Sequence, residues 1–583
     1  MDSVSSTRGY GKVDGIEDGR HRGRMRRWKL TICISSILLI AVVVAIIVGV
    51  VLRKNGGHPE SHSETGLTSS ASINAVCGLT MHPETCFSSI SKSQWYSDTT
   101  DPEEIFKISL LVAMEGLVSV VNYTDSLMRQ VGQNSDPVQQ SPLIVCQEAL
   151  EDAVYMLNQS IFSTTIKSGK LLSPETVDDL RTWLSTVLSD QETCLDAFED
   201  VNWTDFQKMA LTMTNSTELI SNSLAIITKL LGYVSKFKIP MHRRLLSFSD
   251  CCDGSGFPTW LSAADRRLLQ ATNPTPNLVI AQDGSGSYTT INSALNAIPS
   301  KSPTRFVIYV KAGIYKENVI LDKTKWNVMI YGDGKTRTIV TGSKNYVDGT
   351  ATSKTGTFIA LGQGFFAKDM GFRNTAGPEK HQAVAFRSGS DKSVMYRCYF
   401  DSYQDTLYAH TNRQFYRECD IIGSVDFIFG YSAVVIQNST ILPRQPMPNQ
   451  YNTITAQGKF NPNLKSGISI QDCKVIATEN LIAKTYLGRP WKNHSTTVFM
   501  QSFLDSLIDP KGWVEWFHNV TPPNTIFYGE YQNTGPGSNT IGRVTWPGYK
   551  PALTSAEAGG FTVNSFIQGS TWLPVGVPYK PYM

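Results

Sequence analysis

The chain has 583 residues, too many for one ordinary hydrophobic core, so two or more domains are expected. Its 41% hydrophobic and 18% charged residues are the proportions of globular protein, apart from a polar N-terminal segment. The net charge of +3 carries no nucleic-acid signal, yet it would not repel a polyanionic ligand.

Residues 1–30 are a basic tail, and Thr31 to Leu52 are apolar apart from a few small polar residues. As a helix this stretch would rise about 33 Å, enough to cross a hydrocarbon core of roughly 30 Å. Arg20, Arg22, Arg24, Arg26, Arg27 and Lys29 precede it, and only Arg53 and Lys54 follow. That asymmetry predicts a signal-anchor at 31–52, with the tail cytoplasmic and the rest lumenal or extracellular (a type II topology). A cleaved signal peptide with a long n-region is the alternative; both send the remainder out of the cytosol. Sequons at Asn122, Asn158, Asn202, Asn215, Asn438, Asn493 and Asn519 fit that placement as glycosylation candidates. An oxidising compartment also makes disulfides plausible. No CxxC pair or His cluster points to a metal.

Residues 53–70, rich in Gly, Ser, His and Glu, read as a flexible stalk. From 71 to 235 the pattern is helical. Val177, Leu180, Leu184, Val187, Cys194 and Phe198 follow steps of three and four, with Gln191 at the missing position; Leu150, Val154, Leu157 and Ile161 do the same. Several such stripes in series predict an all-α four-helix bundle. Cys146 and Cys194 lie on two stripes and would staple two helices, while Cys77 and Cys86 would close an N-terminal loop or hairpin. Four cysteines allow three pairings, of which this is the preferred one. A bundle of this size with C-x8-C near its start and two later cysteines resembles the plant invertase and pectin methylesterase inhibitor family.

The helical pattern breaks down over 236–272. This linker holds Arg243-Arg244-Leu245-Leu246 and Arg266-Arg267-Leu268-Leu269, the same tetrapeptide twice. A repeated dibasic-dileucine at a domain boundary favours protease recognition over a plain solvated tether. Cleavage there would free the C-terminal part from anchor and bundle. Adjacent Cys251 and Cys252 are read as ordinary linker residues.

Over 273–583 the texture turns to β. Phe306–Val310, Asn327–Tyr331, Thr338–Val340 and Ala433–Ile436 read as short strands separated by Gly, Asn and Asp turns, after a helix near Ile291–Ile298. Strands recurring every 20 to 25 residues suggest stacked coils, although a sandwich or barrel fits the composition nearly as well. Gln382 precedes Asp405 by 23 residues, and Asp426 follows Asp405 by 21, with Gln404 beside Asp405. At one coil per step these groups would stack on one face, adjacent strands being about 4.8 Å apart. Two carboxylates so close resist joint ionisation, which would give one nucleophile and one proton donor, with amides to hold an oxyanion.

Gly313-Ile314-Tyr315-Lys316-Glu317, Gly332-Asp333-Gly334, Asn374-Thr375-Ala376-Gly377-Pro378, the glutamine and aspartate motifs, and Leu487-Gly488-Arg489-Pro490-Trp491 follow one another in order. In these the chain resembles the plant pectin methylesterases across nearly all of 273–583. The resemblance implies a right-handed parallel β-helix that hydrolyses the C6 methyl esters of homogalacturonan in the cell wall, giving acidic pectin and methanol. It implies Asp426 as nucleophile, Asp405 as proton donor and then base, and Gln382 and Gln404 as oxyanion stabilisers. Arg489 would hold Asp426 ionised, and Trp491 and Thr352 would contact the sugar. It calls for no metal or organic cofactor, and a monomer is expected. Two departures stand close to Asp426: Tyr431 where Asn is common, and Ser439 where a cysteine partner of Cys419 is common. Cys419 would then be unpaired or pair elsewhere, with Cys398 one coil earlier.

Two rivals remain at this stage. A calcium-dependent lyase would want clustered acidic ligands and a basic proton abstractor, against which the Gln/Asp/Asp/Arg set argues. A pectin-binding or esterase-regulating protein would not need all five central residues. The inhibitor-like domain is expected to silence its own catalytic domain before cleavage.

Overall fold

The computed structural model of the chain describes residues 68–131, 137–165, 172–199, 206–231, 275–477 and 479–583. The expected tail, anchor, most of the stalk, the linker with both dibasic sites, and Cys33, Cys251, Cys252 and Asn202 lie outside them. Among the described residues no helix is long and apolar enough to cross a membrane.

Helices α1 (Ser69–Cys77), α2 (Pro83–Lys92), α3 (Pro102–Val131), α4 (Pro137–Thr165), α5 (Pro174–Glu199) and α6 (Phe206–Ala225) form the N-terminal domain, α3 to α6 being the long ones. Four of the six begin on proline, whose fixed φ and missing N–H suit the first helical turn. The α5 stripe is buried throughout, Gln191 included. Gln191 is tolerated there because its amide donates to Ser216 Oγ at 2.6 Å and accepts from Thr217 Oγ1 at 2.9 Å, which ties α5 to α6. Cys77 is bonded to Cys86, and Cys146 on α4 to Cys194 on α5, the preferred pairing.

The C-terminal half is built of parallel strands in three sheets of 11, 7 and 8 strands, so each coil contributes one strand to each sheet in turn. This fits the right-handed β-helix that the resemblance implies. Each expected strand is present: Phe306–Val310, Val328–Tyr331, Thr338–Gly342 and Ala433–Gln437. The opening helix is a single α-turn, Ile291–Ala294, tightening into a 3₁₀ turn. Phe358, Phe372, Phe386 and Phe400 pack on one another inside the stack.

One corner of the coil turns on a left-handed residue each time: Asp369, Arg397, Glu418, Asn438, Asp472 and Gln501 have φ between 48° and 55°. Single αL residues of this kind make sharp bends that polar side chains tolerate best. The next residues, Met370, Cys398, Cys419, Ser439, Cys473 and Ser502, are all buried, and the strand register after them stacks them one above another. Cys398, Cys419 and Cys473 are free thiols. Ser439 sits between Cys419 and Cys473 in this column, and its hydroxyl accepts the Cys419 N–H at 3.1 Å. Adjacent coils lie about 4.8 Å apart, within disulfide reach. A Ser439→Cys variant is therefore expected to bond to Cys419 and to stabilise the β-helix by about 3 kcal/mol, from closing a short loop. Thermal unfolding with and without reductant checks this: a midpoint unchanged by reductant would show that no bond forms.

Candidate functional site

Apart from Thr352, the candidate side chains stand in or within a few residues of the strands of the seven-stranded sheet, which are Val319–Leu321, Phe358–Ala360, Phe386–Ser388, Leu407–Ala409, Ile428–Gly430, Asn452–Gln457 and Thr485–Pro490. Leu407 pairs with Ile428, and Ile428 with Thr455. Asp405, Asp426 and Thr453 each stand two residues ahead of those partners, so they occupy one register on three consecutive coils. Gln382 pairs with Gln404 just before it. Between that pair and Phe386–Leu407, residues 383–385 oppose only 405 and 406, a local bulge that re-aims the chain next to Asp405.

Asp405 and Asp426 are both buried, and both have left-handed backbone, φ 64° and 50°. Such conformations cost a non-glycine residue about 1 kcal/mol or more and cluster where a side chain must be aimed. Asp426 is held from two directions. Thr453 Oγ1 donates to Asp426 Oδ1 at 2.6 Å and accepts the Asp426 N–H at 2.8 Å. Arg489 grips the same carboxylate with both arms, Nε to Oδ1 at 2.8 Å and Nη2 to Oδ2 at 2.5 Å. Burial pulls the Arg489 guanidinium down, but Asp426 outweighs it and leaves the guanidinium raised. A bidentate, charge-assisted pair of this kind adds geometric specificity as well as energy, and so fixes the orientation of the Asp426 carboxyl group. Arg489 in turn lies 4.2 Å over the Trp516 ring. Gly430 ends the Asp426 strand at φ 131°, where a Cβ would come within 2.1 Å of the Ala409 carbonyl oxygen.

A cavity of about 180 Å³ opens over these groups, lined by Thr352, Gln382, Gln404, Asp405, Asp426, Arg489 and Trp491. Every candidate catalytic and sugar-contacting residue thus faces one space. A buried carboxylate gripped by a guanidinium, a second carboxylate one coil away and two amides beside it can support attack, proton transfer and oxyanion stabilisation. Among the described residues no group of three or more His, Cys, Asp or Glu side chains could hold a metal ion. The asparagines of the six described sequons are exposed.

Thr453 and Trp516 were missing from the candidate set. Thr453 carries a signal, lying 27 residues after Asp426, about one coil on. Trp516 comes from an irregular stretch with no periodicity.

The cavity wall also includes Val145, Thr193, Asp196 and Ala197 from the helical domain. Helix α5 lies across the face that carries Asp405 and Asp426. Trp183 Nε1 donates to Asp391 at 3.3 Å, and Arg413 bridges Asp391 at 2.6 Å and Asp179 at 2.7 Å. Thr193 Oγ1 meets His410 Nε2 at 2.8 Å. Arg387 Nη2 donates to the other ring nitrogen at 3.1 Å, so His410 carries its proton on Nε2 and donates to Thr193. Burial and Arg387 hold His410 well below its usual range, and neutral. Toward Trp491, Lys492 Nζ contacts Glu192 and Asp196, each at 2.7 Å, and the Tyr431 hydroxyl donates to Asp196.

Comparison with known proteins agrees across both halves. The family described as Pectinesterase matches residues 277–570, and that described as Plant invertase/pectin methylesterase inhibitor matches residues 71–226. The chain is 52% identical to pectinesterase 3 of Phaseolus vulgaris over 585 residues, covering 98% of each chain. It is 49% identical to pectinesterase 1 of Arabidopsis thaliana over 584 residues, again 98% of each. The solved structure of pectin methylesterase from carrot is 50% identical, with a TM-score of 0.52, and matches 54% of this chain and 100% of its own. The 54% of this chain that is matched is about the length of its β-helix half.

Proposed function

This chain belongs to the pectinesterase family and carries an inhibitor-like domain ahead of its catalytic one; from that premise we propose how its residues perform the methylesterase reaction and how the precursor is restrained. The chain is a carboxylic ester hydrolase acting on methylated pectin. Asp426, ionised and aimed by Thr453 and Arg489, attacks the C6 ester carbonyl carbon. Gln382 and Gln404 donate to the oxygen that becomes negative. The C–O bond to the methoxy group breaks, Asp405 gives that oxygen its proton, and methanol leaves. Asp405, now a carboxylate, takes a proton from water. The resulting hydroxide attacks the acyl carbon, and Asp426 departs as a carboxylate. Both half-reactions use side chains and water alone.

The observation that carries this reading is the shared register of Asp405 and Asp426 on consecutive coils, with Arg489 bidentate on one of them. Methanol release from highly methylated pectin by residues 273–583 tests it. Release is expected; a folded fragment that binds pectin and releases none would turn the reading toward a binding protein.

The restraint follows from where α5 lies. With Asp196 and Thr193 in the cavity wall, α5 occupies space beside Trp491 that a polymer approaching Asp426 would need. The helical domain therefore acts as an inhibitor in cis, and cleavage at the Arg-Arg-Leu-Leu sites of 243–246 and 266–269 would allow its removal. Export through the secretory pathway, anchoring by 31–52 and glycosylation of the exposed sequon asparagines complete the proposal. Supporting it are the charge asymmetry around the apolar stretch and the exposure of those six side chains.

A further inference from the structure

Behind the wall of the cavity stands a buried cation that the ester chemistry leaves unused. Arg387 lies on the Phe386–Ser388 strand and is 7% exposed. Its Nη1 donates to the Ser353 carbonyl oxygen at 2.8 Å, and its Nη2 to His410 Nδ1 at 3.1 Å. Both acceptors are neutral, and its Nε has no partner. Burying a guanidinium on neutral acceptors does little for stability. What it does is fix geometry. Ser353 is the middle residue of the 3₁₀ turn Thr352–Lys354, which lines the cavity at Thr352 and Ser353. The guanidinium carbon also lies 5.6 Å from the centre of the Tyr408 ring, within cation–π range, and Tyr408 lines the same cavity. One side chain therefore ties together two pieces of the wall that belong to different coils.

The helical domain grips the same unit from outside. Thr193 of α5 meets His410 Nε2 at 2.8 Å, and Glu148 of α4 pairs with Lys354, the last residue of the turn. The piece of wall that Arg387 holds is thus also the piece that the docked domain takes hold of. We propose that Arg387 is a positioning residue for substrate binding: it holds the Thr352–Lys354 turn and the Tyr408 ring in place, and so sets affinity for the methylated polymer without entering the bond-making steps. This rests on the esterase reading above, with Thr352 as a sugar contact.

Steady-state methanol release tests this in the chain cut in its linker, after chromatography has removed the helical domain. Arg387→Met keeps the stem and removes the donors. It is expected to raise KM for methylated pectin about tenfold or more, the loss of a hydrogen bond from a charged donor, while kcat stays within about threefold. Arg387→Lys keeps the charge and one point of donation, and should recover part of the loss. Thr352→Val should raise KM as well. The two substitutions combined should raise it little beyond Arg387→Met alone, because one residue acts through the other. Additive effects in that pair, an unchanged KM, or a fall in kcat at constant KM would each overturn the positioning role. Thermal unfolding must show each variant folded; where Arg387→Met is not, Arg387→Lys and its combination with Thr352→Val carry the same comparison. Failure of the unaltered chain to release methanol would instead remove the esterase reading. Calorimetric titration with methylated oligogalacturonides then decides the positioning role alone: weaker binding by Arg387→Met sustains it, and equal binding overturns it.

Discussion

Asp426→Asn is expected to lower kcat by about 10⁴-fold or more, the scale seen when a nucleophile is removed from an intact site. The amide has nearly the volume of the carboxylate, so the coil need not move. It cannot attack the ester, and its NH₂ would face Arg489, leaving a mostly buried guanidinium without its second acceptor. Some loss of stability should accompany the loss of rate, so thermal unfolding of the same preparation must show a folded protein. Asp405→Asn separates the roles. It keeps the nucleophile but removes the acid and base, so both steps slow, by about 10²–10⁴-fold. Rapid-quench methanol assays distinguish the two: no acyl-enzyme from Asp426→Asn, but slow acylation with an intermediate that persists from Asp405→Asn. An intermediate formed by Asp426→Asn would reassign the nucleophile.

The second large effect is between the chain with its helical domain and residues 273–583 alone. The connected form is expected to be about 100-fold less active or lower, because a docked domain on the same chain competes at high effective concentration. The gap should depend on pH. Burial pushes the Asp196 carboxyl up, Lys492 opposes this, Glu192 adds to it, and the result is about 7. Tyr431 is the remaining neighbour and donates to it. Burial also pushes Asp190 well up, on the same helix. Lys492 stays charged: burial pulls it down, and its two carboxylate partners more than offset that. Apart from the β-helix, Asp196 would return toward the ordinary carboxylate range. Docking then takes up a proton, so it is strongest below that range and weakens as pH rises, by up to about tenfold per unit, until about 7. Activity of the connected form, relative to the fragment, should therefore climb between pH 4 and 7. Asp196→Asn should flatten that climb; a ratio that falls with rising pH would contradict the assignment.

Much of this was legible in the sequence, for identifiable reasons. The 21-residue step from Asp405 to Asp426 showed the stack because a regular coil converts spacing directly into register. The α5 stripe showed its buried face because helical periodicity survives one exception, Gln191, whose polarity is absorbed by Ser216 and Thr217. The disulfides followed from which elements carried the cysteines. What spacing could not show was the packing of one domain on the other. Asp196 and Lys492 are 296 residues apart, and nothing periodic links them. Tyr431 stands out as a departure beside Asp426 because its partner, Asp196, lies in the other domain. Thr453 fell one coil beyond the motif that drew attention, in a coil lengthened to 27 residues.

The breadth of the contact made by α4 and α5 together changes what a cut in the linker can accomplish. Polar contacts run from Lys323 and Lys354 through Arg413 to Lys492, so the helical domain bridges many coils at once. Hydrolysing a peptide bond in the connection breaks none of them. It only changes the order of the equilibrium: rebinding becomes a meeting of two molecules, and the docked fraction falls with dilution rather than at the moment of cleavage. A nicked chain held in a concentrated compartment remains largely closed. The same chain spread through a large volume opens, so the effect of proteolysis is decided by where the two pieces go afterwards.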